Sequence, residues 1–221
     1  MKSMRFVVLT LALSVFSMAA FADEITSIVN VANTQLAATP GPYATVDLKT
    51  GTDSALSATV IFGTVTMDSN FQLFGNGSPA FGMNFSSGSA SNYEVVSSSV
   101  TSGFSASGSG QMDGFGTFAI TFNGPTAANA ASLLSFEVEC LNSTSQVVSC
   151  TSATQLVGDS TGGGENQPSL FAVHVAPTNG NPTGFAGAKD STLANTPEPG
   201  SMLLLGTGLL GLGSFVRRRL L

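Results

Sequence analysis

The sequence predicts an all-β protein: a β-sandwich or jelly-roll-like domain of about 7–9 short antiparallel strands, flanked by an N-terminal signal helix and one C-terminal transmembrane helix. Three observations predict it. Short runs alternate apolar and polar residues with the period of two that a half-buried strand requires. Clusters of Gly, Ser, Asn and Pro separate those runs, as turns do. Long uninterrupted apolar stretches occur only at the two ends of the 221-residue chain.

The first apolar stretch has the parts of a secretory signal. Lys2 and Arg5 give a positive start, Phe6 to Met18 is apolar, and Ala20 and Ala22 place small residues at the positions a signal peptidase reads. Residues 1–22 are therefore expected to be removed after Ala22. The apolar run is shorter than a bilayer span needs.

The domain itself is expected over residues 23–188. "YATVDLKT" and "SATVIFGTVTM" are rich in Thr, Val and aromatics, as strands are. "AFGMNFS" directs Phe81, Met83 and Phe85 inward and Gly82, Asn84 and Ser86 outward. "NYEVVSSSV" is a weaker strand. "FGTFAITF" directs Phe118, Ile120 and Phe122 to one face. "LLSFEVEC" buries Leu134, Phe136, Val138 and Cys140 and presents Glu137 and Glu139 to solvent. "FAVHV" sets Phe171, Val173 and Val175 on one face and His174 on the other, toward solvent. With 16 Phe and no Trp in the chain, phenylalanine supplies the core, at roughly 1.5–3 kcal/mol for each ring fully buried.

Cys140 and Cys150 lie in the exported part, where a disulfide is chemically permitted. Placed directly opposite each other across a hairpin, they centre its turn near Ser145. Two buried free thiols are the alternative. Neither cysteine has a Cys or His partner at metal-ligand spacing.

Charge excludes some partners. Between residues 23 and 196, 12 acidic side chains face only Lys49 and Lys189, a net charge of −10. Nucleic acid and anionic membrane surfaces both demand clustered Lys and Arg, so no nucleic-acid partner is expected. The acidity keeps a Ser, Thr and Gly surface soluble.

No residue is assigned a catalytic, cofactor or metal role, and the protein is not expected to be an enzyme. His174 is the single histidine, and no G-x-S-x-G nucleophile elbow occurs. Glu137 and Glu139 share a face, as glycosidase carboxylates do, but nothing else marks them. The "GDSTGGGEN" loop offers Asp159, Glu165 and Asn166 as oxygen donors for calcium without matching an EF-hand. Sugar platforms are poorly supplied, with Tyr43 and Tyr93 the only tyrosines.

After the last strand, residues 189–196 read as a flexible linker. Pro197, Glu198 and Pro199 follow, then the uncharged run Ser201–Val216, then Arg217, Arg218 and Arg219. With Gly200 and snorkelling of Arg217, the run spans a membrane over about 200–216. The arginines mark its cytoplasmic end and so fix the orientation. Gly206, Gly208, Gly211 and Gly213 are better tolerated in lipid than in a soluble helix.

This three-part ending resembles the PEP-CTERM sorting domain of Gram-negative bacteria. The resemblance covers residues 197–221, with Pro197, Glu198 and Pro199 as the recognition triplet and Arg217 to Arg219 as the stop. It implies processing by exosortase, a membrane-embedded cysteine protease or transpeptidase, and a transient inner-membrane anchor. It also implies a final location in the periplasm, at the outer surface or in extracellular matrix. Such tails accompany exopolysaccharide production and biofilm formation, so exopolysaccharide is an expected partner. "GPYATVDLKT", "SVTSGFSASGSGQMDGFGTFAITF" and "FAVHVAP" with "GNPTGFAGA" resemble exported proteins bearing the same tail, a group without a defined activity. The expected role is structural or interactive in envelope or matrix. The alternatives are a polysaccharide- or calcium-binding module and, behind that, a secreted hydrolase of matrix polymer.

Overall fold

A computed structural model describes residues 23–194, apart from residues 87, 163, 167 and 181. The expected signal helix and transmembrane helix, with Ala20, Ala22, Pro197, Glu198, Pro199 and Arg217 to Arg219, lie outside the described residues. Asp23–Ala194 forms one compact unit, so the domain runs past residue 188.

Sixteen strands occur among the described residues. The first eight are β1 (Glu24–Val29), β2 (Val31–Ala32), β3 (Ala44–Asp53), β4 (Ala58–Met67), β5 (Phe71–Leu73), β6 (Pro79–Met83), β7 (Tyr93–Val95) and β8 (Ser105–Ser107). The rest are β9 (Gly110–Met112), β10 (Gly116–Phe118), β11 (Ile120–Asn123), β12 (Leu133–Leu141), β13 (Val147–Val148), β14 (Phe171–Pro177), β15 (Gly184–Ala188) and β16 (Thr192–Ala194). The count exceeds the expected 7–9 because many strands are two- or three-residue edge pieces, too short to show a period of two in sequence.

The strands form two seven-stranded antiparallel sheets and a separate hairpin. The first sheet runs β13-β12-β4-β3-β1-β16, with β7 also paired to β12. The second runs β2-β15-β14-β6-β11-β8, with β5 also paired to β14. One apolar core joins them. Leu134, Phe136 and Val138 of the first sheet and Phe81, Phe122 and Phe171 of the second belong to it. Across the interface the Phe122 and Phe136 rings lie 4.7 Å apart, and Phe81 lies 5.8 Å from Phe136. Such tilted pairs add about 0.5–1.5 kcal/mol each beyond the area they bury.

The hairpin of β9 and β10 covers the outer face of the second sheet. Met112, Phe115 and Phe118 form a second small core with Ala172 and Phe185. Two glycines make room for it. A Cβ on Gly82 would stand 2.8 Å from the Phe118 ring, and one on Gly187 would stand 2.4 Å from the Phe115 ring. Asn33 pins the arrangement: its amide donates to Asp113 in the hairpin turn while its Oδ1 accepts from the Phe185 N–H.

Two strand readings change in consequence. "FGTFAITF" is not one strand. It breaks at Ala119, whose N–H donates to Asn84 Oδ1 at 2.6 Å. Phe118 therefore joins the hairpin core, while Ile120 and Phe122 face the main one. Asn84, expected outward, is buried, and its amide also donates to the carbonyls of Thr117 and Asp159. The expected linker at 189–196 also contains strand, since β16 pairs with β1.

Candidate functional site

The chemically distinctive side chains fall into separate places rather than one cleft. Cys140 and Cys150 are joined by a disulfide with Cα atoms 5.3 Å apart. Their register differs from the expected one: Cys140 lies opposite Val148, and Cys150 follows two residues later. The turn is closed by Asn142, whose N–H donates to the Gln146 carbonyl and whose Oδ1 accepts from the N–H groups of Thr144 and Gln146. Ser145 adopts the left-handed conformation at φ 58°, which ends the hairpin one residue out of the assumed symmetry.

Glu137 and Glu139 stand on the outer face of the first sheet. Glu139 is the direct cross-strand partner of Glu94, so like charges meet there. Burial raises the Glu137 carboxyl above the usual range, and Asp53 and Glu139 raise it further, Asp53 also through a hydrogen bond. Burial, Glu94 and Asp53 raise Glu139. One oxygen of Glu137, Oε1, is buried without a hydrogen-bond partner. Partial burial and neighbouring like charges thus act in the same direction on both carboxyls. Among the described residues no group of three or more His, Cys, Asp or Glu side chains is arranged to hold a metal ion.

His174 does not face solvent. It is half-buried between two rings, 4.2 Å from Phe185 and 4.0 Å from Phe74. Burial pushes its pKa from 6.5 down to about 4, with the backbone of Gly75 offsetting part of the shift. Its Nδ1 is buried and has no hydrogen-bond partner. A Ser-His-Asp triad places its orienting carboxylate at that nitrogen.

The "GDSTGGGEN" loop is tied to the fold through Glu165 and Asn166. Glu165 accepts from the Thr34 N–H, and the Asn166 side chain donates to the Ala32 carbonyl. The Asn166 N–H reaches the Gly114 carbonyl. Asp159 uses its backbone carbonyl on Asn84 and leaves its side chain exposed. Thr117 and Thr161 form a β-bridge that fastens the loop to the hairpin. A shallow pocket at Thr39, Pro40, Pro42 and Phe71 includes Asp68, whose carboxylate is occupied by Asn70.

The residues with a recognisable assignment lie at the chain end. Residues 195–219 match the family described as the PEP-CTERM protein-sorting motif. The chain carries a PEP-CTERM tail. The match begins at residue 195, next in sequence to Ala194, the last residue of β16. A PEP-CTERM tail marks an exported protein that is sorted by exosortase and anchored in the membrane through its C-terminus before processing. Among the described residues no helix is long and apolar enough to cross a membrane. No curated protein and no solved structure matches the chain, so the tail motif alone carries the comparison.

Proposed function

We propose that the protein is a non-catalytic β-sandwich delivered to the cell envelope or extracellular matrix, where it has a structural or interaction role beside exopolysaccharide. The observation that carries this reading is the PEP-CTERM motif at residues 195–219, directly after a complete two-sheet domain. Signal peptide removal after Ala22 begins the route, and exosortase acting at Pro197, Glu198 and Pro199 ends it. The arginines at 217–219 hold the intermediate in the inner membrane of a Gram-negative cell.

The rest of the molecule supports a scaffold. Its distinctive polar groups are used internally: Asn84, Asn33, Glu165 and Asn166 all fasten loops to sheets. His174 has its ring faces covered and no carboxylate on Nδ1, which supports a packing role. The net negative charge suits a soluble matrix component.

Mass spectrometry of the protein recovered from cells with active exosortase tests the reading. The expected product has lost the signal peptide and ends near Pro197 to Gly200. A chain still ending at Leu221 would contradict it.

A further inference from the structure

The last strand bears directly on how the tail is reached. Among the described residues β16 is the edge of the first sheet and pairs only with β1, through Glu24 with Ala194, Ile25 with Leu193 and Thr26 with Thr192. Three residue pairs hold it, against ten between β3 and β4. Two side-chain bonds add to the ladder: Ser27 donates to the Asp190 carbonyl, and the Thr192 hydroxyl donates to the Thr26 carbonyl. Lys189, Asp190, Ser191 and Thr192, which lead into the strand and begin it, are exposed. Short, solvated edge pairings of this kind are where native proteins open first.

Chain arithmetic gives this opening a consequence. With β16 paired, three residue steps lead from Ala194 to Pro197, about 10 Å of fully extended chain. With β16 released, the tether begins after Ala188, the end of β15, and nine steps lead to Pro197, about 30 Å. A membrane-embedded protease must seat the recognition triplet together with the residues before it in an extended groove. Those backbone groups cannot bond to β1 and to the enzyme at once. The pairing of Glu24 with Ala194 adds a second constraint. It sets Glu24, two residues past Ala22, after which the signal peptide is expected to be cut, beside Ala194, the residue before the tail. The first and last strands of the described domain therefore end side by side on one sheet edge.

We propose that β16 is a releasable strap that controls access to the Pro197–Pro199 triplet, processing taking place from the state in which β16 has left β1. The proposal rests on the sorting reading above and assigns its regulation to the sheet edge.

Full-length protein expressed with its exosortase tests it. Thr26 and Thr192 face each other, a spacing of about 4.5–5.5 Å that suits a disulfide. The variant Thr26→Cys/Thr192→Cys locks the strap and is expected to slow loss of the tail by about tenfold or more, since the competent population is removed. Inserting six Gly/Ser residues between Ala194 and Asn195 of the locked variant restores length without opening the sheet, and is expected to recover processing. Hydrogen exchange on the unlocked precursor should show amides of β16 exchanging far faster than those of β3 and β4. A locked variant processed at the wild-type rate overturns the proposal, as does a slow locked variant that the insertion fails to rescue. Unaltered protein that keeps its tail overturns the sorting reading itself, which separates the two failures.

Discussion

His174 and Phe185 are direct cross-strand partners, and their rings stack 4.2 Å apart with planes inclined by 12°. The contact uses the only histidine as an aromatic packing surface. Phe74 covers its other side, so a charged imidazolium there would lose water without gaining a carboxylate.

This makes stability depend on pH with a definite sign. The unfolded chain takes up the imidazole proton near 6.5, whereas the folded protein resists it down to about 4. Between those values the unfolded state binds more protons, so the contribution is complete above about 6.5 and is lost as pH falls toward 4. Urea midpoints of the mature protein are expected to fall from pH 7 to pH 4.5, and His174→Phe is expected to flatten that slope. A variant with an unchanged slope would place the titration elsewhere.

Glu137 acts in the opposite direction. Its carboxyl is raised in the folded protein by burial, by Asp53 and by Glu139, so there the folded state binds the extra proton. Stability from this group is greatest below the ordinary carboxylate value and is lost as pH rises through the raised one. Glu137→Gln is therefore expected to increase the urea midpoint modestly at pH 7, with an unchanged m-value, and to have little effect near pH 4. A lowered midpoint at pH 7 would show that the ionised carboxylate stabilises the fold.

The sequence made some of this arrangement legible and concealed the rest for physical reasons. β12 could be read residue by residue because one of its faces meets the main core and the other meets water. β14 could be read only halfway. Phe171, Val173 and Val175 follow the pattern, but the hairpin of β9 and β10 covers its other face, so Ala172 is buried and His174 is half-buried. Such a third layer leaves no local signal, because small residues beneath a distant aromatic look like ordinary Gly and Ala. Asn84 was misplaced for a related reason: its partners at Ala119 and Asp159 are 35 and 75 residues away. β1 has no legible period of two and is absent from the sequence reading: Ile25, Ser27 and Val29 face inward while Ile28 is exposed, so apolar and polar residues do not alternate. Nothing local announces β16, whose pairing depends on β1 at the other end of the domain.

The disulfide should be a large single contributor to stability. It closes the segment from Cys140 to Cys150 at the edge of the first sheet, and the chain-entropy model assigns about 3 kcal/mol to a loop of that size. Reduction, or Cys150→Ala, is expected to lower the unfolding free energy by that amount. The loss should fall first on β13, whose two residue pairs with β12 are otherwise its only ladder. Equal stability of oxidised and reduced protein would mean that Asn142 and its turn hold the hairpin unaided.

The glycine beneath Phe115 offers the sharpest test of the third layer. Gly187 sits in β15, and a Cβ there would lie 2.4 Å from Phe115 Cδ1 and 2.7 Å from Ser169 Oγ. Ser169 cannot easily move, because its hydroxyl bonds to the carbonyls of Phe171 and Ala188. The ring must therefore give way, and Gly187→Ala is expected to cost about 1–3 kcal/mol through overpacking. The damage should be local, with faster amide exchange across β9 and β10 and near-native protection in β3, β4 and β12. Phe115→Leu in the same chain supplies a smaller, more adjustable side chain and should recover part of the loss, giving a coupling energy in a double-mutant cycle. Additive effects of the two changes would show that the hairpin does not rest on Gly187.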